Sequence, residues 1–447
     1  MPSLLPGPLR RAAAAAVLAG FAGCSATPPP APVAAAAPAA APAPSWVPDP
    51  AHPVMLGIDV LQAEGFAPIR GKTIGLLTHA AGVNMRGVST IDVLRRAPGV
   101  HLAALFSAEN GLSGEYPSGV NYPDHTDPRT GLVVRSLYNG VTYRPTRAQL
   151  AGLDAVVIDL QDIGSRSYTF VSAMRFCIEG CFENGVEVIV LDRPNPLGGL
   201  KVDGPPLDPK WVSYEGAFRV PYVHGLTIGE LARMAKDAPG ILNVPDAVRV
   251  AGRLTVVPMR GWRRTMRWPD TGLAWVPTSP YIPDYSSVEG YPMTGPGCQI
   301  GGFRNGIGGA YPFRGVSYHG VRMDALERDL RALNIPGIDF RRVSVPDPKT
   351  GKPELGLYVE ITDWDQWRPT ELSLHMMALA CKYDPRNPFA SATRADFRRF
   401  MICMGSTAFY NDLVAHGAHV DVGAYVRDWQ ARNEVYQQQS RRYWLYN

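Results

Sequence analysis

Four near-continuous apolar runs, "KTIGLLTH" (72–79), "HLAALFS" (101–107), "LDAVVIDLQ" (153–161) and "EVIVLD" (187–192), constrain the fold of this chain more than any other feature. A strand that is apolar on both faces needs cover on both faces, which a parallel sheet flanked by helices provides. Helix starts stand between the runs. "STID" (89–92), "TRAQ" (146–149) and "TIGE" (227–230) each place a hydroxyl three residues before Asp92, Gln149 or Glu230, the capping-box arrangement that satisfies free amides. Those three side chains are read as structural. The pattern predicts an α/β fold, with a doubly wound domain over residues 53–245. Beyond Pro245 the rhythm changes to isolated strands ("VRVAGRLTVVPM", "LGLYVEITDW"), a Gly/Pro-rich segment (279–315) and helices near 323–334, 370–383 and 422–443. This predicts a smaller α+β domain over 246–447, with a cleft at the junction as the expected ligand site.

The chain opens with "MPSLLPGPLRRAAAAAVLAGFAGC": two arginines, a short apolar stretch, then small residues before Cys24. Residues 1–24 therefore read as an export signal, too short for a spanning helix. "FAGC" resembles the lipobox of bacterial lipoproteins, which makes Cys24 the expected lipidation site and the periplasmic side of the cell envelope the expected location. Residues 25–52 are Pro/Ala low complexity, a semi-extended tether of about 3 Å per residue. The net charge of +4 includes Arg10 and Arg11 of the leader, so the remainder is near neutral and offers nothing for nucleic acid. The expected partners are a lipid membrane through the anchor and a ligand in the cleft. Of the other cysteines, Cys177 and Cys181 sit one helical turn apart, a poor geometry for a disulfide.

Ligands of open parallel sheets bind beyond the carboxyl ends of the strands. That rule gathers Thr78 and His79, Ser107, Glu109 and Asn110, Gln161, Asp162, Arg166 and Tyr168, and Asp192, Arg193 and Asn195. Four successive strand ends are thus polar. Asp162 and Asp192 also suit turn capping or pairing with Arg166 and Arg193, and His79 and His224 suit structural hydrogen bonding. Glu109 differs, because it follows small residues, precedes Asn110-Gly111 and has no capping-box partner.

Several chemistries lack their signatures. The loop after the first strand reads "THAAGVN" rather than G-x-G-x-x-G, and "GGFRNGIGG" lacks the Lys-Ser/Thr of a phosphate loop. No G-x-S-x-G nucleophile elbow is present. His125 with Asp127, and His416 with His419, are two-residue coincidences, and no metal or cofactor is expected. A carboxylate with hydrogen-bonding neighbours and the aromatics Tyr116, Tyr138 and Tyr168 suits glycoside chemistry, in which an acid protonates the leaving oxygen and aromatics stack on sugar faces.

The ordered segments "GKTIGLLTHAAGVNMRGVSTIDVL", "LFSAENGLSGE", "DLQDIGSRSYTF", "VLDRPNPLGGLKVDGPPLDP", "VPYVHGLTIGELA" and "TGLAWVPTSPYIP", with the closing "YWLYN", resemble the motifs of the exo-acting β-N-acetylmuramidase family of peptidoglycan hydrolases. The resemblance implies a Rossmann-like N-terminal domain, a smaller C-terminal domain, and release of N-acetylmuramic acid from non-reducing ends of wall glycans or muropeptides. It implies Glu109 as the catalytic acid, since "SAENG" matches a Ser-Pro-Glu-His-Gly motif with Asn110 in place of His. Arg166, Tyr168, Asp192, Arg193, Asn195 and His224 match other motif positions and are carried over as site-lining residues, as is His79, which stands where Asn is common. Either arginine is a candidate partner for the lactyl carboxylate of muramic acid. Glu115, Asp162 or the substrate's own acetamido group is the candidate second group. The family's Glu-Gly-Thr-Asn and Gly-Arg-Gly-Thr segments are replaced by "CQIGGFRNGIGGAYPF". A non-catalytic glycan- or muropeptide-binding lipoprotein on the same fold is the alternative reading.

Overall fold

A computed structural model describes residues 53–447, so Cys24, the export signal and the whole of the predicted tether lie outside the described residues. Seven strands form the first sheet: β1 (Thr73–Thr78), β2 (His101–Ser107), β3 (His125–Thr126), β4 (Val133–Ser136), β5 (Ala155–Asp159), β6 (Glu187–Leu191) and β7 (Leu254–Val257). Their order is β3-β4-β2-β1-β5-β6-β7, parallel except for the β3–β4 pair. The chain runs outward from β1 to one edge, then returns to pair β5 with the other side of β1. This reversal is the topological switch point of a doubly wound sheet, where loops diverge and leave a crevice.

The alternation within each strand shows why the runs had to be apolar throughout. Val156 and Ile158 of β5 pack with the helix Phe170–Glu183 on one face, while Ala155 and Val157 pack with Val54–Leu61 and Ile91 on the other. Helix starts follow the expected chemistry: Thr146 with Gln149, and Thr227 with Glu230, form reciprocal capping boxes. At Ser89 the hydroxyl accepts the Ile91 amide instead, and Asp92 turns outward to Arg129.

Helix Gly57–Ala63 approaches the end of β6 so closely that a Cβ on Gly57 would lie 2.4 Å from the Asp192 amide nitrogen. Backbone cannot yield as a side-chain tip would. Gly57→Ala is therefore expected to cost about 1–3 kcal/mol by overpacking, read as a lowered midpoint in urea unfolding. An unchanged midpoint would refute this close packing.

One element departs from expectation. "VRVAGRLTVVPM" is not one isolated strand of a second domain: Asp246–Ala251 is a helix and Leu254–Val257 is β7, parallel to β6 in the first sheet. Pro245 before the first turn, Asp246 within it and Gly252 after it override the β preference of the valines. Strands β3 and β4, too short for a clear periodicity, extend the opposite edge.

The second sheet is antiparallel, ordered β10-β11-β9-β8, from β8 (Phe303–Arg304), β9 (Gly315–Tyr318), β10 (Ile338–Pro346) and β11 (Pro353–Ile361). Its buried Phe303, Val316 and Leu357 belong to the same apolar core as the helix side of the first sheet. The last residues return to that sheet: Tyr446 Oη donates to Asp192 at 2.6 Å and the Leu445 amide to Glu230 at 2.8 Å. Cys177, Cys181, Cys298, Cys381 and Cys403 are free thiols. No described helix is long and apolar enough to cross a membrane.

Candidate active site

Beyond β2 the backbone turns sharply through Asn110 (φ +71°) and Gly111 (φ +79°). Asparagine is among the few side chains that tolerate this left-handed region, and here its amide repays the strain locally. Asn110 Nδ2 donates to the Tyr116 carbonyl at 2.9 Å and to Ser118 Oγ at 3.2 Å. The loop so folded brings the Gly119 amide to Glu109 Oε1 at 2.8 Å, while Thr169 Oγ1 donates to Oε2 at 2.7 Å. Thr169 precedes the first residue of helix Phe170–Glu183, so the carboxylate also faces the positive end of that helix.

Glu109 and Asn110 line a cavity of about 230 Å³. Tyr168, Tyr281, Tyr291 and Phe313 supply aromatic walls, and Ser167, Ser279 and Gln299 supply polar groups. Tyr168 is fixed by a 2.6 Å hydrogen bond between its hydroxyl and Thr278 Oγ1 and by edge-on contact with Tyr291. Burial, reinforced by nearby Asp162 and Glu109, pushes the Tyr168 phenol up, so it remains a neutral donor. Sugar rings, with apolar faces and hydroxyl edges, suit such a surface. A larger cavity of about 620 Å³ lies beside Lys201 and Trp364, but Lys201 Nζ is already bound to the carbonyls of Trp364 and Trp367.

The other residues expected at the site fall into two groups. Asn110 and Tyr168 join Glu109 in the cavity; the rest form the framework beneath or beside it. Arg166 is buried and donates to the carbonyls of Pro205, Val220, Cys403 and Met404. Arg193 is paired with Asp159 at 2.5 Å and also holds the Val83 carbonyl. Both guanidiniums are thus committed to internal acceptors, through the two terminal nitrogens of Arg166 and through the Asp159 pair and Val83 carbonyl of Arg193, and neither is free for a lactyl carboxylate. Asp192 accepts from Thr227, Gly229 and Tyr446. Asn195 bridges the Leu226 carbonyl and the Leu197 amide. His224 Nδ1 accepts the Leu226 amide, and its Nε2 lies 3.3 Å from Asp162 Oδ2, which in turn accepts the Gly164 amide. Glu115 is exposed and folds back onto the Leu112 and Ser113 amides.

His79 is buried edge-on against Phe170, and its Nε2 accepts the Gln161 amide at 2.9 Å. Burial first, and then the Arg193 charge, pull its pKa from 6.5 down to about 3, so the ring is neutral. The unfolded chain would bind a proton there more readily than the native one. Stability from this group is therefore full above pH 6.5 and declines as pH falls toward about 3. Thermal melts across that range should show the decline, with a shallower slope for His79→Gln; identical slopes would contradict the neutral buried ring.

Residues missed by the strand-end rule include Thr169, Glu215, Tyr291, Gln299 and Phe313. They arrive from a helix start, a long crossover loop and the Gly/Pro-rich segment, where no periodic pattern marks position. Ser279 and Tyr281 lie in "TGLAWVPTSPYIP", a segment that carries part of the family resemblance and that the strand-end rule does not reach.

Two family models cover most of the described chain: exo-β-N-acetylmuramidase NamZ, N-terminal, matches residues 74–286, and its C-terminal counterpart matches residues 290–446. The chain belongs to the NamZ family. The peptidoglycan β-N-acetylmuramidase NamZ of Bacillus subtilis (strain 168) is 37% identical over 330 residues, 72% of this chain and 76% of that protein. A crystal structure of a DUF1343 family protein from Bacteroides fragilis NCTC 9343 superposes with a TM-score of 0.78 at 34% identity, covering 88% of this chain and 99% of the other. A second DUF1343 family protein from the same organism shares the fold, with a TM-score of 0.63 at 24% identity and the same coverage. Both NamZ regions contribute to the cavity: Glu109, Thr169, Glu215 and Tyr281 come from the first, and Tyr291, Gln299 and Phe313 from the second. In the segment that departs from the family pattern, Gln299 presents a neutral amide to the cavity.

Proposed function

We propose that this chain is an exo-acting glycoside hydrolase that releases terminal β-linked N-acetylmuramic acid, or a close amino sugar, from peptidoglycan fragments, with Glu109 as general acid. The observation that carries this reading is a carboxylate fixed by the Gly119 amide and the Thr169 hydroxyl at an aromatic-walled cavity. The Thr169 hydroxyl can donate to the ionised carboxylate or accept from the protonated one, so it serves both states of an acid catalyst. Protonation of the glycosidic oxygen lets the C1–O bond break as positive charge develops on the sugar ring. Family membership makes peptidoglycan the substrate class, and the limited volume beside Glu109 suits a terminal sugar.

Purified protein incubated with 4-nitrophenyl β-glycosides of N-acetylmuramic acid and N-acetylglucosamine tests the proposal. Preferential nitrophenol release from the muramic acid glycoside is the expected result. Saturable binding without release from either glycoside would support the glycan-binding alternative and overturn the catalytic reading. We further propose export and lipid attachment at Cys24, on the leader and "FAGC" alone. Radiolabelled palmitate should be incorporated by wild-type protein in cells and not by Cys24→Ala; equal labelling would remove the anchor.

A further inference from the structure

We infer that Glu215 is the carboxylate that works opposite Glu109, accepting the proton of the water that attacks the glycosidic carbon; this rests on the hydrolase reading above. The two glutamates are the carboxylates among the residues lining the cavity. Glu215 occupies the tip of a tight turn closed by paired backbone hydrogen bonds between Ser213 and Gly216, at 3.2 and 3.4 Å. Its neighbour Tyr214 anchors that turn by stacking on Tyr143, with ring centroids 3.9 Å apart. Glu215 is thus carried on a fixed support, while its own oxygens receive no hydrogen bond from any described residue. A half-buried carboxylate with open lone pairs is suited to accept a proton from water.

The surroundings of Glu215 bear on its basicity. Burial raises the Glu215 carboxyl from its usual value and the Glu109 charge raises it further, with Arg399 partly opposing. A carboxyl raised in this way is a stronger base toward water once ionised. Glu115 and Asp162 are poorer candidates, because both are bound to local amides and neither lines the cavity. Gln299, a carboxamide, cannot serve as a base of this kind.

The balanced step is a single displacement. The Glu109 proton passes to the glycosidic oxygen as the C1–O bond breaks; the water oxygen bonds to C1 and its proton passes to Glu215. Glu109 ends ionised and Glu215 protonated, and exchange with solvent restores the starting pair. Attack from the opposite face inverts the anomeric centre.

The test compares Glu215→Gln, Glu215→Ala and Glu109→Gln on the 4-nitrophenyl glycoside of N-acetylmuramic acid, with and without azide, alongside melting temperatures. Both Glu215 variants should lose about 10²–10⁴-fold, and Glu109→Gln should lose less on this glycoside than on a sugar aglycone, because nitrophenolate leaves without protonation. Azide should restore turnover of Glu215→Ala by forming the glycosyl azide, which shows a folded site lacking only its base. Near wild-type turnover by Glu215→Gln, or a product of retained configuration from wild type, would overturn the assignment while leaving the hydrolase reading intact. No release by wild type would overturn both.

Discussion

Glu109→Gln is expected to lower turnover of a disaccharide ending in N-acetylmuramic acid by about 10²–10⁴-fold, the usual contribution of a positioned general acid. The substitution keeps size and shape. The Gly119 amide can still donate to the side-chain oxygen, and the Thr169 hydroxyl can turn to accept from the new amide group, so the loop should hold its place. What disappears is the transferable proton. The aglycone sets the size of the effect, because an unactivated sugar alkoxide needs protonation to depart. Steady-state kinetics on the disaccharide, with a melting curve to establish equal stability, would check this result. Full activity in the variant would remove Glu109 from the acid role.

The second large effect concerns stability rather than chemistry. Arg264 and Glu230 are both fully buried and paired at 2.7 Å, and the guanidinium stacks on Trp444 at 3.7 Å. Arg264 also donates to the Gly199 and Gly225 carbonyls, while Glu230 receives the Thr227 and Leu445 amides. Arg264→Ala leaves a buried carboxylate without its cation, which should cost about 3–5 kcal/mol. A Glu230→Gln change in the Arg264→Ala background should recover part of that loss by removing the unpaired charge. Denaturant unfolding of the two variants measures both steps. A loss of only a few tenths of a kcal/mol for Arg264→Ala would mean that this pair does not tie the C-terminal segment to the sheet.

The parallel sheet was legible because its central strands are buried on both faces. Residues such as Val156, Val157 and Ile158 could not occupy a half-exposed strand without leaving apolar side chains in water. The capping boxes at Thr146 and Thr227 were legible because their chemistry is local. β7 was not, since Pro245 at the start of Asp246–Ala251 and Gly252 at its end, rather than hydrophobic period, decide where the helix lies and where the strand can begin. At the site, Glu109 was legible from its place after β2. Arg166 and Arg193 were misleading for a physical reason: a strand end offers bare carbonyls and acids as readily as it offers a ligand, and these guanidiniums satisfy them. Glu215 carried no local signal, because only the tertiary path of the loop from Asn195 to Thr227 brings its turn to the cavity.

The most direct measurement of the central claim is product analysis over time with linear wall glycans that end in N-acetylmuramic acid, comparing wild type with Glu109→Gln by mass spectrometry. The account predicts free N-acetylmuramic acid as the first product from wild type, with its release abolished or strongly slowed in the variant. Disaccharides or longer fragments appearing first, or equal release of the monosaccharide by the variant, would contradict it.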